Sequence, residues 1–295
     1  MGKELDDIEG LLERAYESED IEEVEELVNR ALELDPENPE VLLLQADLTE
    51  DDDVRLPILV HAIENARGIL NGEGVPEEDY AEDELGTVYL ALLQRAAFTL
   101  FSLEDDERSF EIVQELMRHD LDDQGAVRSL YYRILIERRD WALILRETMQ
   151  DGERRLGWAY ARLAACFMLT GEGRDEAAVM FWDALAMAPN APFYMLGYFP
   201  DPVDDSEEEQ EVFHFSLLFS DVWSLSHDLL NWFSKGVILF GLLSGRFGEE
   251  SEDMLEILRS LGGGSEYDRM EELWGGREDG SLIEELASSR FLSGR

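Results

Sequence analysis

Apolar positions recur at intervals of three and four along almost the whole chain, which is the period of an amphipathic helix. Ile8, Leu11, Leu12 and Ala15 form one stripe; Ile21, Val24, Leu27, Val28, Ala31 and Leu34 form the next, with only Glu17 to Asp20 between them. So short a polar gap predicts an antiparallel helix pair. Asp35 and Pro36 stop the second helix, and Pro39 suits the first turn of a third, where a missing N–H is no loss. Further helices are expected over 41–48, from near Pro57 to Leu70, over 82–103 and around 110–117. The pattern then becomes regular, with helices at 125–138, 141–149, 156–170 and 174–188. Aromatic-rich helices at about 209–226 and 227–244 follow, then weaker ones near 251–261 and 281–288. No stretch sustains the alternation of a strand, so the expected fold is all-α.

Breaks in this pattern suggest an organisation. Residues 1–200 read as stacked helix pairs with an irregular insert at 50–82, where the run N-G-E-G-V-P (71–76) marks a loop. Residues 201–211 hold seven acids and read as an acidic linker. Residues 212–247 read as a capping helix pair, and the glycine-rich 248–295 as a weakly ordered helical tail.

Asp122 and Pro189, each placed after the second helix of a pair, are 67 residues apart, or two units of about 34. Within the last unit Ala165 follows Trp158 by seven, Ala177 comes twelve later, then Phe181, Ala184 and Pro189. Small residues at Ala165 and Ala177 let two helices approach, Phe181 fills the gap to the next unit, and Pro189 ends the pair. This arrangement resembles the tetratricopeptide repeat. The first unit, 5–38, is similar at Ala31 and Pro36 but has Leu12 and Val24 at the small positions. The unit ending near Asp122 departs further, with Phe98, Phe110 and Met117 where small residues are expected. A second likeness lies in His119-Asp-Leu-Asp-Asp-Gln-Gly-Ala-Val-Arg128, and in Pro189, Asn190, Pro192, Tyr194, Met195, Leu196 and Gly197. These resemble the inter-repeat turn and the closing motif of a group of bacterial and plant helical-repeat proteins. In this chain Ala126 is inserted, a proline is absent from the first motif, and the Asn-Pro order is swapped in the second. The resemblance implies an architecture, a right-handed solenoid of helix pairs with an aromatic-rich C-terminal cap, and little chemistry.

Composition narrows the partners. The 295 residues carry 69 acids against 24 bases, a formal charge of −45, and only Lys3 and Lys235 among those bases are lysines. Such a surface repels nucleic-acid phosphates, and no basic stripe offsets it: acids flank both Arg138-Arg139 and Arg154-Arg155. The balance fits a cell with a salty cytoplasm, where ions screen self-repulsion. No basic, apolar leader occupies the first 20 residues, and the apolar stretch 212–243 is interrupted by charges, so a membrane span is not expected. The expectation is a cytoplasmic protein.

Candidate chemistry is sparse. No phosphate-binding glycine loop is present, and Gly171-Glu-Gly173 reads as a hairpin turn. Cys166, between Ala165 and Phe167, reads as a buried small hydrophobe. His214 and His227 could meet from consecutive helices near Asp221 and Asp228, which would suit a metal; the plainer reading is that each spans core and surface beside an aromatic. No cofactor is implied. Seven large aromatics, Phe213, Phe215, Phe219, Trp223, Trp232, Phe233 and Phe240, crowd into 28 residues. They either close the core of the stack or form a docking patch, with Trp274 as a docking residue if the tail is mobile.

The leading expectation is therefore a non-enzymatic protein-interaction scaffold that cradles a protein or peptide on a concave face. Gln94, Tyr131, Arg133, Tyr160 and Arg162 on first helices, with Trp274, are its candidate contacts, the arginines suited to a partner's carboxylate. The alternatives are a helical metal-dependent or acid–base enzyme centred on the C-terminal half, and an acidic chaperone or mimic for basic proteins.

Overall fold

The computed structural model describes residues 7–119, 125–150, 155–171, 175–289 and 291–293. Sixteen α-helices and no strand occur among the described residues, so the fold is all-helical, with neighbouring helices packed on one another. The chain divides into two compact units, 1–127 and 128–295.

The first unit holds α1 (Ile8–Glu17), α2 (Ile21–Leu34), α3 (Pro39–Asp47), α4 (Asp52–Glu73), α5 (Glu84–Ser102) and α6 (Asp106–Leu116). Its abundant acids start these helices. Asp7, Asp20, Asp51, Asp83 and Asp105, and Asn38 before Pro39, each accept a backbone N–H at a helix start. Each such cap is worth about 1 kcal/mol, and acids in the same first turns add a favourable charge at the positive end of the helix dipole. Leu11, Leu12, Ala15, Leu27, Val28, Ala31, Val41 and Leu44 bury together where α1, α2 and α3 meet. Each pair α1/α2, α3/α4 and α5/α6 is packed together; α2 touches α3, α4 touches α5, and α3 also touches α5. The helix expected from near Pro57 to Leu70 is α4, which starts earlier, accommodates Pro57 internally and ends at Gly74 in the left-handed conformation, inside the expected 71–76 loop.

Helix α5 is long and apolar enough to cross a membrane by length and composition, and it is the one such helix among the described residues. Half of that stretch is buried inside the unit, with Tyr89, Leu92, Leu93, Ala96 and Leu100 facing the core, and its Arg95 pairs with Asp47. Its apolarity is accounted for by packing.

The boundary between units falls inside α7 (Gly125–Glu137). Of the expected turn before it, 120–124 lie outside the described residues. The second unit continues with α8 (Trp141–Gln150), α9 (Leu156–Thr170), α10 (Asp175–Met187), α11 (Ala191–Met195), α12 (Glu207–Leu218), α13 (His227–Leu243), α14 (Ser251–Ser260), α15 (Gly264–Trp274) and α16 (Asp279–Ser288). Helices α9 and α10 pack as a pair, with Ala165, Ala177, Phe181 and Ala184 buried. The hairpin turn expected between them lies partly outside the described residues, at 172–174. Helix α11 packs on α12 across the expected acidic linker, in which Ser206 caps α12 at Glu209. Helix α13 is the hub: α9, α14, α15 and α16 all touch it. The C-terminal stretch is drawn onto it, since Trp232 donates its indole N–H to the Leu292 carbonyl at 3.0 Å, and Phe291 and Leu292 are buried.

Candidate functional site

In the second unit the aromatics expected to crowd together do so, in the interior. Trp223 and Phe233 stack with ring centroids 3.6 Å apart, and Tyr160 meets Trp223 edge-on at 5.9 Å. Phe219, Trp223, Trp232, Phe233 and Phe240 are buried, whereas Phe213 and Phe215 are half-buried. They close a core within the second unit.

The second unit also holds most of the sequence-named contacts. Tyr160, on α9, is 1% exposed, and its hydroxyl is buried with no hydrogen-bond partner; burial alone pushes its phenol far above the usual range. Arg133, on α7, is buried too. Its Nε donates to the Leu218 carbonyl at 2.9 Å, its Nη2 to both carboxylate oxygens of Asp221 at 2.7 Å, and its Nη1 to Glu137. It is an internal tie. Tyr131 is also buried, donating its hydroxyl to Glu147 at 2.7 Å; burial first, and then Glu147, holds that phenol protonated. Arg162 lies half-buried with its guanidinium 5.0 Å from the Trp158 ring centroid. Trp274 is half-buried at the end of α15. A first-helix position in a helix pair can face the neighbouring pair as well as a groove, and the spacing of apolar residues does not distinguish the two.

His214 and His227 are both exposed, and His214 lies edge-on to Phe213 at 5.9 Å. Among the described residues, no group of three or more histidine, cysteine or acidic side chains is arranged to hold a metal ion. Cys166 is buried, and burial raises its thiol pKa, so the thiolate needed for nucleophilic attack is disfavoured.

The first unit presents a different arrangement, next in sequence to the remaining sequence-named contact. Gln94 is half-buried on α5. Beside it in sequence, Arg95 extends to α3, its Nε 2.9 Å from Asp47 Oδ1. Asp47 and Glu40 are seven residues apart on α3 and so share a face. Tyr16, 56% exposed on α1, completes the group. Its phenol pKa is raised by partial burial, then by Glu40 and Asp47, while Arg95 opposes them. Four polar side chains from α1, α3 and α5 therefore share one electrostatic neighbourhood. Only Gln94 was legible as a contact; Arg95 follows it directly, and the seven-residue spacing of Glu40 and Asp47 was the available signal for the rest.

Neither protein-family profiles, curated proteins nor solved structures give a match to the chain.

Proposed function

We propose that the chain is a non-enzymatic scaffold that binds a protein or peptide partner, built as a tetratricopeptide-like stack of helix pairs and working in a salt-rich cytoplasm. The observation that carries this reading is the row formed by Tyr16, Glu40, Asp47 and Arg95. It runs across α1, α3 and α5, the first helices of three consecutive pairs, with α3 and α5 in direct contact. In a stack of helix pairs, first helices lining one surface form the trough that cradles a ligand. Tyr16, Asp47 and Arg95 are exposed there: an aromatic face, a hydrogen-bonding edge and both charge signs, as a peptide groove requires.

Affinity capture with the full chain, from the source cell at its own ionic strength, tests the reading. The expected result is one stoichiometric protein retained by the native chain and lost from a Tyr16→Ala/Arg95→Ala variant that keeps its helical signal. Retention unchanged by that double substitution, or no retained protein, would overturn it. A broad set of basic proteins released by moderate salt would favour the acidic-chaperone alternative, which rests on the charge of −45.

A further inference from the structure

We infer that the second unit carries a separate peptide site at the start of α8, and that it takes an acidic segment bearing a large apolar side chain. An open depression of about 490 Å³ lies there, formed by residues 139–143, Arg146 and Leu169. Its apolar part comes from Trp141, Leu143 and Leu169, and Leu169, near the end of α9, is 51% exposed. The volume suits one or two large side chains, but the depression is open to solvent and would not enclose a small ligand, which normally buries most of its surface on binding. A chain segment laid across it can cover the apolar surface and reach the rim.

The rim sets the sign of the partner. Arg139 and Arg146 are both exposed, and among the described residues neither guanidinium forms an ion pair, in a chain with 69 acids. The other well-placed arginines of this unit are engaged: Arg133 by Asp221, Arg246 by Asp279 and Arg277 by Glu285. Asp140, which also lines the depression, turns its backbone carbonyl to the N–H groups of Leu143 and Ile144 and so starts α8. Two uncompensated cations against one acid, beside an indole and two leucines, match carboxylates alternating with an apolar anchor. Arg139 also stands in the left-handed backbone conformation, φ 58°, where glycine would be easier. Glu104 does the same in the first unit, so a charged side chain of either sign is tolerated there.

The test is selection of a displayed library of short random peptides on the immobilised full chain, in parallel with an Arg139→Glu/Arg146→Glu variant. Both substituted side chains are exposed, and circular dichroism checks that the helices remain. The expected winners combine Asp or Glu with Leu, Phe or Trp. Synthesised, such a peptide binds the double variant at least about ten-fold more weakly, and binds a Leu169→Ser variant more weakly than the native chain. The inference is overturned by no enrichment, by winners lacking acids, or by binding that survives the double substitution. It is also overturned if sedimentation equilibrium finds the native chain self-associating through these arginines, since a second copy would then be the occupant. None of these outcomes touches the row on α1, α3 and α5, which is tested with its own variants.

Discussion

Arg133 grips both carboxylate oxygens of Asp221 at 2.7 Å, yet 4% of the arginine side chain and 68% of the aspartate side chain are exposed. The two ends of this ion pair should therefore be worth different amounts. Arg133→Ala removes the Asp221 and Glu137 partners together and strips the Leu218 carbonyl of its donor. It should cost about 2–4 kcal/mol. Asp221→Asn leaves the guanidinium the Leu218 carbonyl and Glu137 and removes a solvent-screened charge, so it should cost about 1 kcal/mol or less. Urea denaturation of both variants decides this, and equal losses would mean that burial of the arginine does not set the balance.

Tyr160 gives the opposite sign. Its ring packs against Phe215, Trp223 and Phe233, and its buried hydroxyl finds no hydrogen-bond partner. Burying an unpaired hydroxyl costs about 1–3 kcal/mol. Tyr160→Phe keeps the ring and removes the penalty, so the variant should be more stable, by about 1 kcal/mol. It should also bind any partner as the native chain does, because the hydroxyl cannot reach one. A loss of stability in the same urea assay would reveal an acceptor for this hydroxyl.

Two helices of the second unit meet at a glycine. A Cβ on Gly157 of α9 would lie 2.4 Å from Ser129 Oγ and 2.8 Å from Ser129 Cα on α7. The second contact is backbone, so no rotamer change relieves it. Gly157→Ala should destabilise by about 1–3 kcal/mol through overpacking, despite the better helix propensity of alanine. Gly68, on α4, has nothing within 4 Å of such a Cβ, so Gly68→Ala should be neutral or slightly stabilising. Thermal melts of the pair separate packing from propensity.

These cases show what the sequence could and could not tell. The three-and-four spacing located most of the helices, because that spacing is the imprint of burying one face; α11 and α15 were not read from it. Ala165 and Ala177 were readable as packing residues in a helix pair, and both are buried there. What the pattern could not supply is which neighbour a face meets. Tyr160, Arg133 and Tyr131 occupy positions that would line a groove if helix pairs formed an open stack beside them. Instead α13 and the turn before it supply Phe233, Trp223 and Asp221 to cover Tyr160 and Arg133, and Glu147 takes the Tyr131 hydroxyl. Those covering residues lie far along the chain from most of what they cover. Arg139 and Arg146 were invisible for a related reason: an arginine without an ion-pair partner among the described residues is recognisable only once the acids around it are seen in three dimensions.

The last prediction concerns acid. Arg246, reaching from beyond α13, donates from both terminal nitrogens to Asp279 at 2.8 and 2.6 Å, donates its Nε–H to the Asn190 amide oxygen at 3.2 Å, and lies over the Phe240 ring. Its hydrogen bonds hold the Asp279 carboxyl below the usual carboxylate range. A carboxyl whose native pKa is depressed adds stability above its unfolded pKa, near about 4, and loses that contribution as pH falls through the lower native value. Asp279 is more than a third exposed, so solvent screening limits the gain to about 1 kcal/mol or less. Asp279→Asn should therefore lower the melting temperature at neutral pH by a few degrees at most. The two melting curves should converge as the buffer is taken from about pH 6 to about pH 3. A gap that is unchanged over this range would assign the loss to packing of α16, and a gap that widens on acidification would reverse the sign of the linkage.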